Sequence, residues 1–154
     1  MKLIVWLFFM FFVINAFSQT IDEKDVNNTI AGFFEGFHQR DSLIMKEAVS
    51  KDIILQTIGK NKEGKTTLET EDFNLFLKSI VSIPKDQKFE EKLLSFHIQI
   101  DGNMANVWAP YEFWLNGKFS HCGVDSFQLV KLNGYWKIVY LIDTRRKENC
   151  VQQE

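Results

Sequence analysis

Residues 94–146 read LSFHIQIDGNMANVWAPYEFWLNGKFSHCGVDSFQLVKLNGYWKIVYLIDTRR, and this stretch decides the fold. Asp101-Gly102, Asn116-Gly117 and Asn133-Gly134 cut it into four runs rich in aromatic and β-branched residues. Such pairs tolerate the positive φ angles of tight hairpin turns, so each marks a reversal of the chain. The reading is a four-strand antiparallel meander over 93–101, 104–116, 118–132 and 135–145. Trp108, Trp114 and Trp136 lie in it, so much of the aromatic payload is concentrated there.

At the other end of the chain, Met1-Lys2 precedes an unbroken apolar run from Leu3 to Ile14. Ala16-Phe17-Ser18 then sets small residues where a signal peptidase reads them. The run falls short of the roughly 20 residues a membrane span needs. A signal peptide over 1–18 is expected, leaving one domain over 19–154 and an exported product, periplasmic or extracellular. Membrane contact is expected only through that leader.

The leader takes Lys2 from the 18 basic residues, so 17 face 20 acidic ones, a net charge of −3. A near-neutral balance without a basic cluster excludes nucleic acid as the main partner. Three scattered histidines, with no His-x-x-Glu-His spacing, argue against a metal site. No glycine-rich phosphate loop, nucleophile elbow or Cys-x-x-Cys is present, and no cofactor is expected. Export permits a disulfide between Cys122 and Cys150 if the tail folds back beside the third meander strand. The alternative is one buried and one exposed thiol.

Between leader and meander, Val26, Ile30, Phe33, Phe34 and Phe37 are spaced as one face of a helix over 22–39. His38 in its last turn reads as structural. Asp41 caps a short helix over 42–49, residues 52–58 read as a strand, and 59–65 as a polar loop. A third helix is expected over 71–81, capped by Thr70 and closed by Pro84. Residues 85–92 are charged and read as a solvated connection anchored by Phe89. Three helices on one face of a curved antiparallel sheet make an α+β domain.

This order, with the Phe33-Phe34-Glu35-Gly36-Phe37 helix, the Asp101-Gly102-Asn103-Met104-Ala105 hairpin and Asn133-Gly134-Tyr135-Trp136-Lys137-Ile138, resembles the nuclear transport factor 2-like superfamily. That is the cone-shaped fold of ketosteroid isomerase and SnoaL-type proteins. The likeness spans the whole mature chain and is nearest to a secreted, lumazine-binding-like branch. It implies a pocket between sheet and helices for a small apolar or aromatic molecule. A homodimer is also expected, and in the non-catalytic reading it pairs through the outer sheet face.

Two-residue turns fix strand register. At Asn133-Gly134 the count sets Phe127 opposite Tyr140, Asp125 opposite Ile142 and His121 opposite Arg146, on a mostly apolar, inward face. At Asn116-Gly117 it sets Glu112 opposite His121 and Trp114 opposite Phe119, also inward. Yet Ala105 and Val107 would then point outward with Phe96, Ile98 and Ile100. A one-residue bulge resolves the conflict, and Trp108 to Pro110 is its expected place because Pro110 has no N–H.

Two constellations result. In the row Glu112–His121–Arg146, the carboxylate can orient the imidazole as a general base. Asp125, set among Phe127, Ile142 and Tyr140, is expected to hold its proton more tightly than a solvated carboxyl. Ketosteroid isomerase-like relatives pair an acidic base with a tyrosine, which implies the same for Asp125 and Tyr140. Asp125 and His121 are therefore the candidate catalytic residues. Glu112, Trp114, Tyr140, Trp108, Phe127, Arg146 and Phe34 are candidate ligand contacts. Three functions are open: a small-molecule binder, an acid–base isomerase or dehydratase, and a non-catalytic dimeric module.

Overall fold

A computed structural model describes residues 2–150, with side chains described from Ile21 onward. The expected leader, residues 1–18, lies outside that side-chain description. Helix α1 is assigned to Lys2–Gln39, α2 to Ser42–Ala48 and α3 to Phe73–Ser82. The strands are β1 (Val49–Lys60), β2 (Thr66–Glu71), β3 (Phe89–Leu93), β4 (His97–Asp101), β5 (Met104–Leu115), β6 (Lys118–Leu132) and β7 (Tyr135–Arg146). They form one sheet in the order β2-β1-β7-β6-β5-β3, with β4 also paired to β5. All pairings are antiparallel except β1 with β7.

The turns form where the glycines demanded them. Asn116, Gly117, Asn133 and Gly134 all have positive φ, as does Gly102. The apolar stripe of α1 lies against the concave sheet face: Val26, Ile30, Phe33, Phe34 and Phe37 are buried with Val107, Phe127, Leu129 and Ile138. Asp41 caps α2 by accepting from the Leu43 and Ile44 amides. Gly36 lets α2 approach, since a Cβ there would stand 2.8 Å from the Met45 amide nitrogen. The α1 entry is pinned by Asp22, whose Oδ1 accepts from Lys131 Nζ at 2.6 Å and Trp136 Nε1 at 3.2 Å.

Several expectations are corrected. The residues 85–92, read as a solvated connection, contain most of β3, and β2 was not anticipated at all. Helix α3 starts at Phe73 and is capped by Asp72, not Thr70. The decisive correction concerns register. Strand β5 runs unbroken through Pro110, and the bulge lies on its partner: β6 pairs Phe119 with Trp114 and His121 with Phe113, leaving Ser120 over. A second bulge leaves Val139 over, because Leu129 pairs with Ile138 but Gln128 pairs with Tyr140. Each extra residue reverses the facing of the strand beyond it.

Candidate functional site

With both bulges in place, the inward side of β5 is Ala105, Val107, Ala109, Tyr111 and Phe113, and that of β6 is His121, Gly123, Asp125, Phe127 and Leu129. Beyond its bulge, β7 sends Leu141, Asp143 and Arg145 inward, so Asp125 stands opposite Asp143 and Gly123 opposite Arg145. Gly123 is required here: a Cβ would meet the Thr144 carbonyl at 1.7 Å and the Tyr111 ring at 2.7 Å. The tyrosine ring lies across the space that a side chain would fill.

The result is a cavity of about 310 Å³ between sheet and helices. Phe33, Phe34 and Phe37 from α1, with Phe76 and Ile80 from α3, form its apolar wall. The opposite wall carries Glu91, Tyr111, His121, Asp125, Asp143 and Arg145. The volume lies at the small end of the range for ligand sites, and a few polar groups converging in an apolar cleft are their usual chemistry.

The two opposed aspartates have contrasting environments. Asp143 accepts from Thr57 Oγ1 at 2.5 Å, Tyr111 Oη at 3.2 Å and Arg145 Nε at 2.8 Å. Asp125 is just 3% exposed, and its Oδ2 has no hydrogen-bond partner among the described residues. Its carboxyl lies within hydrogen-bonding reach of that of Glu91 on β3. Burial, then the mutual repulsion of these acids, raises Asp125 well above the usual carboxylate range. Burial raises Glu91 to about 7, with Asp143 adding to the effect and a hydrogen bond from Asp125 opposing it. The pair is a site for a shared proton.

Burial and the surrounding carboxylates hold the Tyr111 phenol protonated, so it acts as a donor. His121 stacks on Phe113 at 4.9 Å between centroids and touches Ser120 through Nδ1 at 3.1 Å. Burial, then Arg145, lowers its pKa, which leaves it neutral near pH 7 and able to accept a proton. His38, read as structural, accepts the Glu91 amide on Nε2 at 3.0 Å and ties β3 to α1.

Of the residues named from sequence, Asp125, His121 and Phe34 line the cavity. Phe127 is fully buried beneath it, edge-on to Phe34. Glu112, Trp114, Trp108, Tyr140 and Arg146 belong to the other face, a correction that follows from the two bulges. Glu112 accepts from Trp114 Nε1 at 3.0 Å, Trp108 is 49% exposed, and Tyr140 donates to Gln56 Oε1 at 2.5 Å. Arg146 pairs with Cys122, and its Nε donates to the Asn149 carbonyl. The Glu112–His121–Arg146 row therefore does not form. Cys122 and Cys150 are bonded, with Cα atoms 5.8 Å apart.

Glu91, Tyr111, Asp143 and Arg145 were missed. Asp143 and Arg145 could be placed only by knowing the Val139 bulge. Glu91 left a fainter signal in the period-two spacing Phe89, Glu91, Leu93, all partly buried on one side of β3.

A family model described as "Putative lumazine-binding" matches residues 21–141. No curated protein matches the sequence. Among solved structures, a nuclear transport factor 2-like protein of unknown function from Shewanella baltica OS155 is similar at TM-score 0.61 and 19% identity, over 84% of this chain and 97% of that one. A nuclear transport factor 2-like protein from Cytophaga hutchinsonii ATCC 33406 gives 0.64 at 11%, over 80% and 98%. A protein from Novosphingobium aromaticivorans DSM 12444 described as "Putative Scytalone Dehydratase" gives 0.64 at 9%, over 90% and 93%. Likeness at such identities establishes the cone fold and leaves function to the site.

Proposed function

The chain belongs to the lumazine-binding-like family of the nuclear transport factor 2-like superfamily, and on that premise we propose that it is an exported protein holding a small, partly aromatic molecule between sheet and helices. One observation carries the reading. Asp125 Oδ2 is buried with no hydrogen-bond partner among the described residues, in a cavity whose opposite wall is phenyl rings. A buried acceptor left unpaired costs about 1–3 kcal/mol, which a ligand donor would recover. The disulfide and the basic-then-apolar start of the chain support the exported part of the reading.

The test is a thermal-shift screen of small aromatic heterocycles on the wild type, Asp125→Asn and His121→Ala. A ligand at about 100 times its Kd stabilises by about 2.7 kcal/mol, a shift of several degrees. The expected result is a shift in the wild type that shrinks in Asp125→Asn. Equal shifts in all three proteins would move the ligand elsewhere.

A second reading, acid–base catalysis, is favoured by Glu91 titrating at about 7, close to working pH, beside the Asp125 carboxyl. In it Asp125 or His121 moves a proton of an enolisable or hydrated carbonyl compound, and Tyr111, donating to Asp143, holds the neighbouring carboxylate in place. The same ligands, followed for turnover, separate binder from enzyme: a rate that rises with ionisation of the acid pair supports catalysis, and a flat baseline supports binding alone.

A further inference from the structure

We propose that the molecule held in the cavity is an organic cation, a protonated amine or amidinium on an aromatic body. The inference rests on the reading of the cavity as a small-molecule site and assigns that molecule its charge.

The first ground is geometric. Asp125 comes from the middle of β6, is buried to 3% exposure, and aims into the cavity an oxygen that has no hydrogen-bond partner among the described residues. Glu91 lines the same cavity from β3, its carboxyl beside that of Asp125. Neither can satisfy the other when both are ionised, because each then only accepts. What the position lacks is a donor, and a group with several N–H bonds and a positive charge satisfies both acids at once.

The second ground is the charge around the cavity. Strand β3 contributes Glu91, β6 contributes Asp125 and His121, β7 contributes Asp143 and Arg145, β5 contributes Tyr111, and Glu71 stands at the rim from the end of β2. Arg145 is the one permanent cation among these, and its Nε is committed to Asp143. Among the described residues, no ion pair reaches Glu91, Asp125 or Glu71. The surplus is negative, and an anionic ligand would meet repulsion that a low-dielectric cleft magnifies.

The third ground is the opposite wall. Phe33, Phe34, Phe37 and Phe76 bring ring faces and edges to the cavity, with Phe37 and Phe76 stacked at 6.2 Å and Phe34 edge-on to Phe37. Such a wall accommodates a flat ring by contact and a nearby cation through the ring quadrupoles. Acids on one side and phenyl rings on the other match an aromatic amine or amidine in both of its parts. In its absence a proton shared by Glu91 and Asp125 supplies the missing positive charge. The cation and that proton therefore compete.

Calorimetric titration with three molecules of nearly equal shape tests this: benzamidine, benzamide and benzoate. The expected order is benzamidine tighter than benzamide by about tenfold to a hundredfold, the worth of a charge-assisted buried hydrogen bond, with benzoate weakest. Benzamidine affinity should rise about tenfold from about pH 6 to about pH 8, with protons released to the buffer, as Glu91, raised by burial to about 7, yields its proton. Asp125→Asn and Glu91→Gln should each bring benzamidine down toward the level of benzamide and weaken the pH dependence, the remaining acid still being raised by burial. Two variants are used so that a folding defect in one leaves the other informative. Benzamide binding as tightly as benzamidine, preferred binding of benzoate, or no binding of benzamidine at any of these pH values would overturn the assignment of charge. If heterocycles from the thermal-shift screen still bind at Asp125 in that event, the small-molecule reading stands. If they do not, both fall.

Discussion

The two ends of the β6–β7 ribbon are made of the same strands and do opposite work. Toward the Asn133-Gly134 turn, Leu129 faces Ile138 and Lys131 faces Trp136, and the inward side is sealed by α1. Toward the open end, Asp125 faces Asp143 and Gly123 faces Arg145, and the inward side is a polar cavity. A single extra residue, Val139, separates the two regimes. On the turn side local chemistry sets the register and apolar burial supplies stability. On the open side the bulge turns Asp143 and Arg145 inward, placing charges where an uninterrupted strand would have placed Ile142 and Thr144. The difference teaches that the bulge converts core sheet into site sheet, with stability at one end supporting an unfavourable charge arrangement at the other.

Gly123 gives the strongest way to break this division. Alanine there would place a methyl 1.7 Å from a backbone oxygen on β7 and against the Tyr111 ring, and neither is the free end of a flexible chain. Gly123→Ala is expected to cost more than about 4 kcal/mol, read by denaturant unfolding, because the β6–β7 pairing itself must open. Gly134, outside the ribbon's packed part, would meet no clash and carries only its positive φ of 86°. A Gly123→Ala protein as stable as the wild type would mean that the open end is not packed as described.

The open end has no turn to hold it, and the disulfide takes that role by tying Cys122 on β6 to the tail after β7. The closed loop spans a sequence separation of 28, for which chain entropy gives about 3.5 kcal/mol. Cys150→Ser is expected to lower stability by about that amount, and reductant should lower the wild type to meet it. Ligand affinity should fall less than stability, since neither sulfur lines the cavity. Loss of affinity in proportion to stability would instead make the staple part of the site.

The contrast between the two ends also explains what the sequence disclosed. Hairpin turns, the α1 stripe and the inward side of β6 were legible because each rests on local chemistry: Gly at positive φ, apolar spacing of three and four, alternation of two. A one-residue bulge leaves no mark in composition, so counting from the turn was right as far as Leu129 and Ile138, and beyond it gave Asp125 the right face but the wrong partner and Tyr140 the wrong face. The bulge at Ser120 likewise exchanged Glu112 and Trp114 for Tyr111 and Phe113. Strand β2 escaped notice for a different reason. Its residues are largely exposed at the sheet edge, Thr66 to Glu71, and carry no apolar alternation to find.

Acidity offers the finest division of the two ends, because their carboxyl groups shift in opposite directions. At the turn end, the hydrogen bond from Lys131 lowers Asp22 below its ordinary value, so its stabilisation is present at neutral pH and lost as pH falls through the folded-state value. At the open end, burial raises Glu91 from 4.5 to about 7. Between those values the folded state binds more protons than the unfolded chain, so stability falls as pH rises through the window and levels off above it. The ligand-free wild type is expected to lose on the order of 2 kcal/mol between about pH 5 and about pH 8 in denaturant unfolding, a discounted figure because the acids are coupled. Glu91→Gln should reduce that slope, with Asp125 keeping the part its own burial gives it, while leaving the loss at low pH, which belongs to Asp22 at the other end. A variant that keeps the full slope would remove Glu91 from the proton-holding pair, and with it the reason for treating the open end as a site that must hold positive charge.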